Sequence, residues 1–122
     1  MTFEHQKSVP HASVGETETV LGKISLSDVK VPEGKTPLLE KNLQLNKVEV
    51  EPHGTIVFHS HLERPAIMYI AEGEIIEYNS VHENPIVHTA GSVSIEYNDV
   101  SHWWKNETDK KVVIFSAMLK NA

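Results

Sequence analysis

Beyond Val20, no segment of about ten residues carries apolar side chains at the spacing of an amphipathic helix. The chain is instead cut into short β-rich runs by turn residues at intervals of roughly 8–12 positions. The runs fall at 43–50, 55–61, 67–71, 74–78, 86–89, 92–96 and 112–118. Pro52-His53-Gly54, Pro65, Glu72-Gly73, Asn79-Ser80, Glu83-Asn84-Pro85 and Tyr97-Asn98-Asp99 interrupt them. Such a pattern predicts an all-β sandwich or closed barrel. Within it, 43–50 alternates apolar and polar as far as Leu45, slips, and resumes at Val48 and Val50, which predicts a bulge near Asn46. Glu72-Gly73 predicts a hairpin joining 67–71 to 74–78. Residues 1–19 are polar and irregular and predict an arm, either disordered or paired with another surface, ahead of a barrel over 20–122.

A chain of 122 residues is one domain's worth of core. Its formal charge of −6 and lack of a Lys/Arg stripe exclude a nucleic-acid backbone as an expected partner. No stretch approaches the roughly 20 apolar residues of a membrane span, and Met1 to Pro10 lacks the apolar run of a signal peptide. A soluble cytoplasmic protein is the expectation. Cysteine is absent, which removes disulfides, thiolate ligands and a cysteine nucleophile. Any metal would therefore be held by nitrogen and oxygen, a donor set that suits Fe, Mn, Ni, Cu or Zn.

The compositional anomaly is histidine, with eight copies. His59 and His61 form a His-x-His on a run read as a strand, where residues two apart point the same way about 7 Å apart along the chain. Two imidazoles on one face can share an ion, and Ser101-His102-Trp103 offers a third from another strand. The alternative is that His59 and His61 line a polar pocket or a solvent face.

The surroundings of these histidines resemble the two signature motifs of the cupin superfamily. The first family motif is G-x5-H-x-H-x3or4-E-x6-G, and His59, His61 and Gly73 stand at its separations. The second is G-x5-P-x-G-x2-H-x3-N, matched in register by Gly91, His102 and Asn106. The resemblance extends from about Val20 to Leu119 and implies a small jelly-roll barrel with an N-terminal extended arm. It also implies one divalent transition metal held inside by His59, His61 and His102. The sequence departs from the motifs in several places. His53 stands at the first glycine, with Gly54 one residue late, and Tyr97 and Asp99 replace the proline and glycine of the second motif. Asp99 is expected to tolerate the left-handed turn there. The acidic ligand is missing, since its place falls on Pro65 or Ala66. Three neutral imidazoles would then leave the ion's charge uncompensated. Glu63 is the local substitute as a possible fourth ligand, if the strand continues past His61.

Strand parity predicts the pocket lining. Val57 should point inward with the histidines, Met68 and Ile70 with Ala66, and Trp104 and Asn106 with His102. Ile70 is read as ordinary core. His88 is a second-rank pocket candidate, whereas His5 and His11 are expected to be solvated. The function implied is a metal-dependent enzyme or metal-binding protein acting on a small oxygen-rich ligand, anionic or carbonyl-bearing. Its chemistry would be dioxygenase-like, or isomerase- or lyase-like. The competing reading is a non-catalytic module that binds or senses a sugar or metabolite. No catalytic acid–base residue is identified, although Glu63, His88 and Glu96 are possibilities. The resemblance also implies a homodimer, with the apolar residues Val20, Leu21, Ile24 and Leu26 available to lie on a neighbour.

Overall fold

The computed structural model describes residues 2–121. It contains strands β1 (Val14–Ser25), β2 (Lys41–Ser60), β3 (Ala66–Glu72), β4 (Glu74–Asn79), β5 (Ile86–Thr89), β6 (Val93–Glu96), β7 (Ser101–Lys105) and β8 (Val112–Asn121). Two short 3-10 turns, Glu4–Gln6 and Leu26–Asp28, are its only helical elements among the described residues. The strands pair in the order β5-β4-β7-β2-β8-β3-β6, with β1 added antiparallel to β2, and the sheet curls into a nearly closed, cupin-like jelly-roll barrel.

β2 decides which side becomes the interior. Gln44, Asn46, Val48 and Val50 are buried, while Leu43 and Leu45 are exposed. The strand pairs residue for residue with β8 from Lys41 to Val50, so the bulge expected near Asn46 does not exist on it. The apparent slip in the sequence has another cause. In the first part of β2 the amides face inward and the leucines outward, reversing the usual polarity. The irregularity opposite Asn46 lies on β1, between Val20 and Gly22.

Two features join 43–50 and 55–61 into one strand through Pro52-His53-Gly54. His53 takes the left-handed conformation at φ 61°. Gly54 is buried where a Cβ would fall 2.7 Å from the Val14 carbonyl and 2.9 Å from that of Glu51, so only glycine fits. The hairpin expected at Glu72-Gly73 is not one. β3 pairs with β6 and β8, whereas β4 pairs with β5 and β7. Gly73, at φ 84° and closely packed on Lys111 and Val112, turns the chain from one group of strands to the other. Asn98, at φ 61°, takes the left-handed position that the sequence assigned to Asp99.

The interior is built from Val48, Val50, Ile56, Met68, Ile70, Ile75, Trp104, Val112 and Ile114. The outer face of β2, β8, β3 and β6 is also apolar. Leu45, Ala117, Ile67 and Ile95 stand opposite one another in a single row, with Lys47, Phe115, Tyr69 and Val93 in the next. The arm expected over 1–19 is tied to this same chain. β1 begins at Val14 within it, and further upstream the Trp103 indole donates to the His5 carbonyl at 3.0 Å. His5, expected to be solvated, is half-buried against Tyr78 and lies 2.9 Å from the His82 carbonyl.

Candidate metal centre

A bulge aims the histidines. On β7, His102 and Trp104 are two residues apart, but their partners on β2, His59 and Ile56, are three apart. The extra residue on β2 resets the alternation, so that both Ile56 and His59 reach the interior and Val57 also lines the cavity. His61 follows the end of β2, held by its amide to the Val100 carbonyl at 3.0 Å. The three imidazoles expected from sequence therefore meet. The His102 Nε2 atom lies 2.9 Å from both His59 Nε2 and His61 Nε2, and ligand atoms of all three lie within 4.8 Å of one another.

The opposite ring nitrogens explain this orientation. His59 Nδ1 faces the Val57 carbonyl at 2.8 Å, and His61 Nδ1 faces that of Arg64 at 3.1 Å. His102 Nδ1 faces the Glu77 carboxylate at 2.6 Å. Each acceptor takes a proton from Nδ1, so the three Nε2 atoms are the ones that converge on one point. Burial pushes His59 down to about 3, helped by the charge of His102, and His61 down to about 4. Both are thus neutral ligands at physiological pH. Burial alone would lower His102 as well, but donating to the Glu77 carboxylate, with Glu96 and the negative charge of both close by, outweighs it and raises it.

A second group, Glu77, Glu96 and His102, is wholly buried behind the first. Glu77 accepts from His102, from His88 Nε2 at 2.9 Å and from Asn79 Nδ2 at 3.0 Å. Burial would raise this carboxyl, yet the hydrogen bonds of His102, His88 and Glu96 hold it far below the usual carboxylate range. Glu96 lies 3.6 Å from His102 Nδ1 and accepts from Ser94. The barrel thus holds a buried His/Glu cluster capable of coordinating a divalent metal. The expectation that no carboxylate compensates the site is corrected here. Ala66 is indeed buried and empty-handed, but its partner across the sheet is Glu96, and Glu77 enters from β4.

The remaining candidates divide. Val57, Ala66, Met68 and Trp104 line a cavity of about 220 Å³ together with His59 and His61. Ile70 is fully buried core. Asn106 is inward but lies past the end of β7, where its amide donates to the carbonyls of Val50, Glu51 and Lys110 at 3.2, 3.1 and 2.8 Å. It pins the chain and does not line the cavity. Glu63 is exposed in a turn at φ 59°, and it belongs to neither converging group. Pro65 and the hydrogen bond from the Arg64 amide to the His61 carbonyl end the strand before Glu63 could share a face with His61. His88 is buried against Trp104 and reaches the centre only through Glu77. Glu77 itself was absent from the sequence candidates. Its signal was inward parity with Ile75 and Asn79 on β4.

A family model described as "Cupin domain" matches residues 46–118. The chain belongs to the cupin family. No curated protein sequence is significantly similar to this cupin. Among solved structures it resembles KdgF from a Halomonas species at 9% identity, with a TM-score of 0.67 over 100% of this chain and 94% of that one. It also resembles the cupin domain of Cnp3 from Schizosaccharomyces pombe, at 10% identity and TM-score 0.62 over 87% of this chain and 65% of that one. A protein described as a predicted oxalate decarboxylase, from Thermotoga maritima, is 18% identical with TM-score 0.57 over 63% and 65% of the two chains. The chain thus spans about 65% of the length of these last two structures. These likenesses concern the barrel alone.

Proposed function

We propose that this cupin binds one divalent transition metal through His59, His61 and His102 and presents it to a small oxygen-donor ligand in the cavity. The observation that carries the reading is the convergence of three Nε2 atoms whose Nδ1 partners are all acceptors. A second proton on His102, whose basicity is raised, sits on Nε2 and hydrogen-bonds across these 2.9 Å gaps, and a metal ion at the meeting point would take that proton's place. Metal–nitrogen bonds of about 2.0–2.1 Å at right angles put their nitrogens about 3 Å apart, which fits. The Glu/Glu/His group is better suited to a supporting role, because Glu77 already takes the proton of His102 Nδ1 and so orients its Nε2. The buried Glu77 carboxylate also supplies, through one imidazole, the negative charge that the triad lacks.

Three histidines cap one side of an ion and leave its other side to the cavity, whose walls include Met68, Trp104 and Ile114. A metal bound there supplies Lewis-acid polarisation of a ligand oxygen, or a site for dioxygen if it is redox-active. The chain's own residues orient the imidazoles. Metal analysis of untagged protein is the direct test, with about one transition-metal ion per chain expected. Protein that stays metal-free after incubation with Mn(II), Fe(II), Ni(II) and Zn(II) in turn would remove this reading.

We also propose that a second copy covers the outer sheet face. Leu43, Leu45, Ile67, Tyr69, Val93, Ile95 and Tyr97 are each between 42% and 65% exposed there. They stand on neighbouring strands of one sheet face, and clustered exposed apolar residues of this kind are often functional. One face meeting its own copy about a two-fold axis buries the same residues on both partners. Sedimentation should show a dimer for the full chain and a monomer for Ile67→Asp/Ile95→Asp. A monomeric full chain would refute the dimer.

A further inference from the structure

The cavity has a second end that the metal centre does not use. Glu16 and Glu18 of β1 stand opposite Val50 and Val48 of β2. Cross-strand partners share a face, and both valines are buried, so the two carboxylates lie on the cavity side of β1, with Glu16 half-buried and Glu18 exposed at the cavity's mouth. They line the same cavity as His59 and His61. Glu18 is fixed there by a buried relay, in which Gln44 Nε2 donates to Asn46 Oδ1 at 2.9 Å and Asn46 Nδ2 donates to Glu18. That relay explains why amides occupy the inner face of β2.

Charges of the other sign line the cavity as well. Arg64, three residues beyond His61, lines it, and its guanidinium donates to the Ser60 carbonyl at 3.1 Å. Lys120 is also on the wall. Among the described residues, none of the ion pairs within 4.0 Å includes Glu16, Glu18, Arg64 or Lys120. Acidic and basic groups thus share one cavity of about 220 Å³ without neutralising each other directly. Burial raises the Glu16 carboxyl, opposed by a hydrogen bond from Ser13 and aided by the charge of Glu18, which is the condition of an acid lacking a cation.

We propose that the cavity binds a small zwitterion, with its carboxylate at the histidine centre beside Arg64 and its ammonium group between Glu16 and Glu18. The proposal rests on the metal-binding reading for one end of the ligand and on β1 alone for the other. A ligand with only an anionic end would leave the two carboxylates facing it unpaired, which is unfavourable in a partly desolvated pocket.

The test uses the full chain loaded with Co(II), whose visible absorption reports on ligands at its open positions. It compares 3-aminopropanoate with propanoate, which differ only by the amine. The zwitterion should bind about tenfold more tightly, as expected for a hydrogen bond between charged groups. Glu16→Gln and Glu18→Gln should each narrow that preference, by weakening 3-aminopropanoate and easing the penalty on propanoate, while leaving Co(II) content unchanged. Equal affinity for the two compounds in the wild type would overturn the proposal. So would variants that weaken both compounds alike, because that marks a structural role for the carboxylates. If Co(II) does not bind, the metal reading fails, and NMR shifts of the metal-free chain with the same two compounds still decide whether Glu16 and Glu18 recognise the amine.

Discussion

Replacing His102 by alanine should empty the metal centre. His102 is the hub of the triad, with Nε2 2.9 Å from both of the other Nε2 atoms and no exposed surface. Loss of a supporting partner alone typically costs about 10–100-fold in metal affinity, so loss of this ligand should exceed about 100-fold. Competition with a chelator at fixed pH measures it. The substitution should also lower stability. It removes a buried ring packed against Trp104 at 5.2 Å and leaves Glu77 without its shortest hydrogen bond. His59→Ala makes the contrast, since His59 is only half-buried and its Nδ1 partner is the Val57 carbonyl of its own strand. It should lose metal with a smaller fall in Tm. Full metal occupancy in His102→Ala would mean that the ion, if any, sits elsewhere.

The histidine triad was legible because its spacing is local. His59 and His61 are two residues apart, and the motif register placed His102. The barrel was legible from turn residues and from the absence of helical periodicity. What failed was parity wherever polar side chains face inward. Gln44 and Asn46 were read as a slip in 43–50, although β2 is continuous, because an inward amide and an outward leucine reverse the pattern that sequence reasoning depends on. Glu77 was missed for the same reason. A charged residue within a strand is assigned to solvent by default, and only its partners on β5 and β7 make its burial tolerable. The hairpin at Glu72-Gly73 failed differently. A glycine at positive φ marks a turn but not which strands pair after it, and that is settled by contacts distant in sequence.

Glu77 carries the largest expected effect outside the ligands, and two substitutions separate its roles. Its carboxylate is 1% exposed and accepts from His102, His88 and Asn79. Glu77→Leu leaves those donors facing a hydrocarbon. Removing one partner of a buried charged network costs about 3–5 kcal/mol, which should appear as a fall in Tm on the order of 10–20 °C in a domain of this size. Glu77→Gln keeps the shape and one acceptor oxygen but brings an amide that donates. If the amide nitrogen meets His102 Nδ1, the ring must move its proton to Nε2, where it points at the other two imidazoles. If the amide oxygen meets His102 instead, the amide nitrogen confronts the donors His88 and Asn79. Either way a conflict enters the network, and in both cases the negative charge behind His102 is gone. Glu77→Gln should therefore fold with a smaller loss of stability than the leucine variant, yet bind metal about 10–100-fold more weakly than the wild type. Thermal denaturation and chelator competition on the same two variants give the answer. Wild-type metal affinity in Glu77→Gln would show that the carboxylate serves the barrel alone, and that His102 keeps its orientation from packing against Trp104.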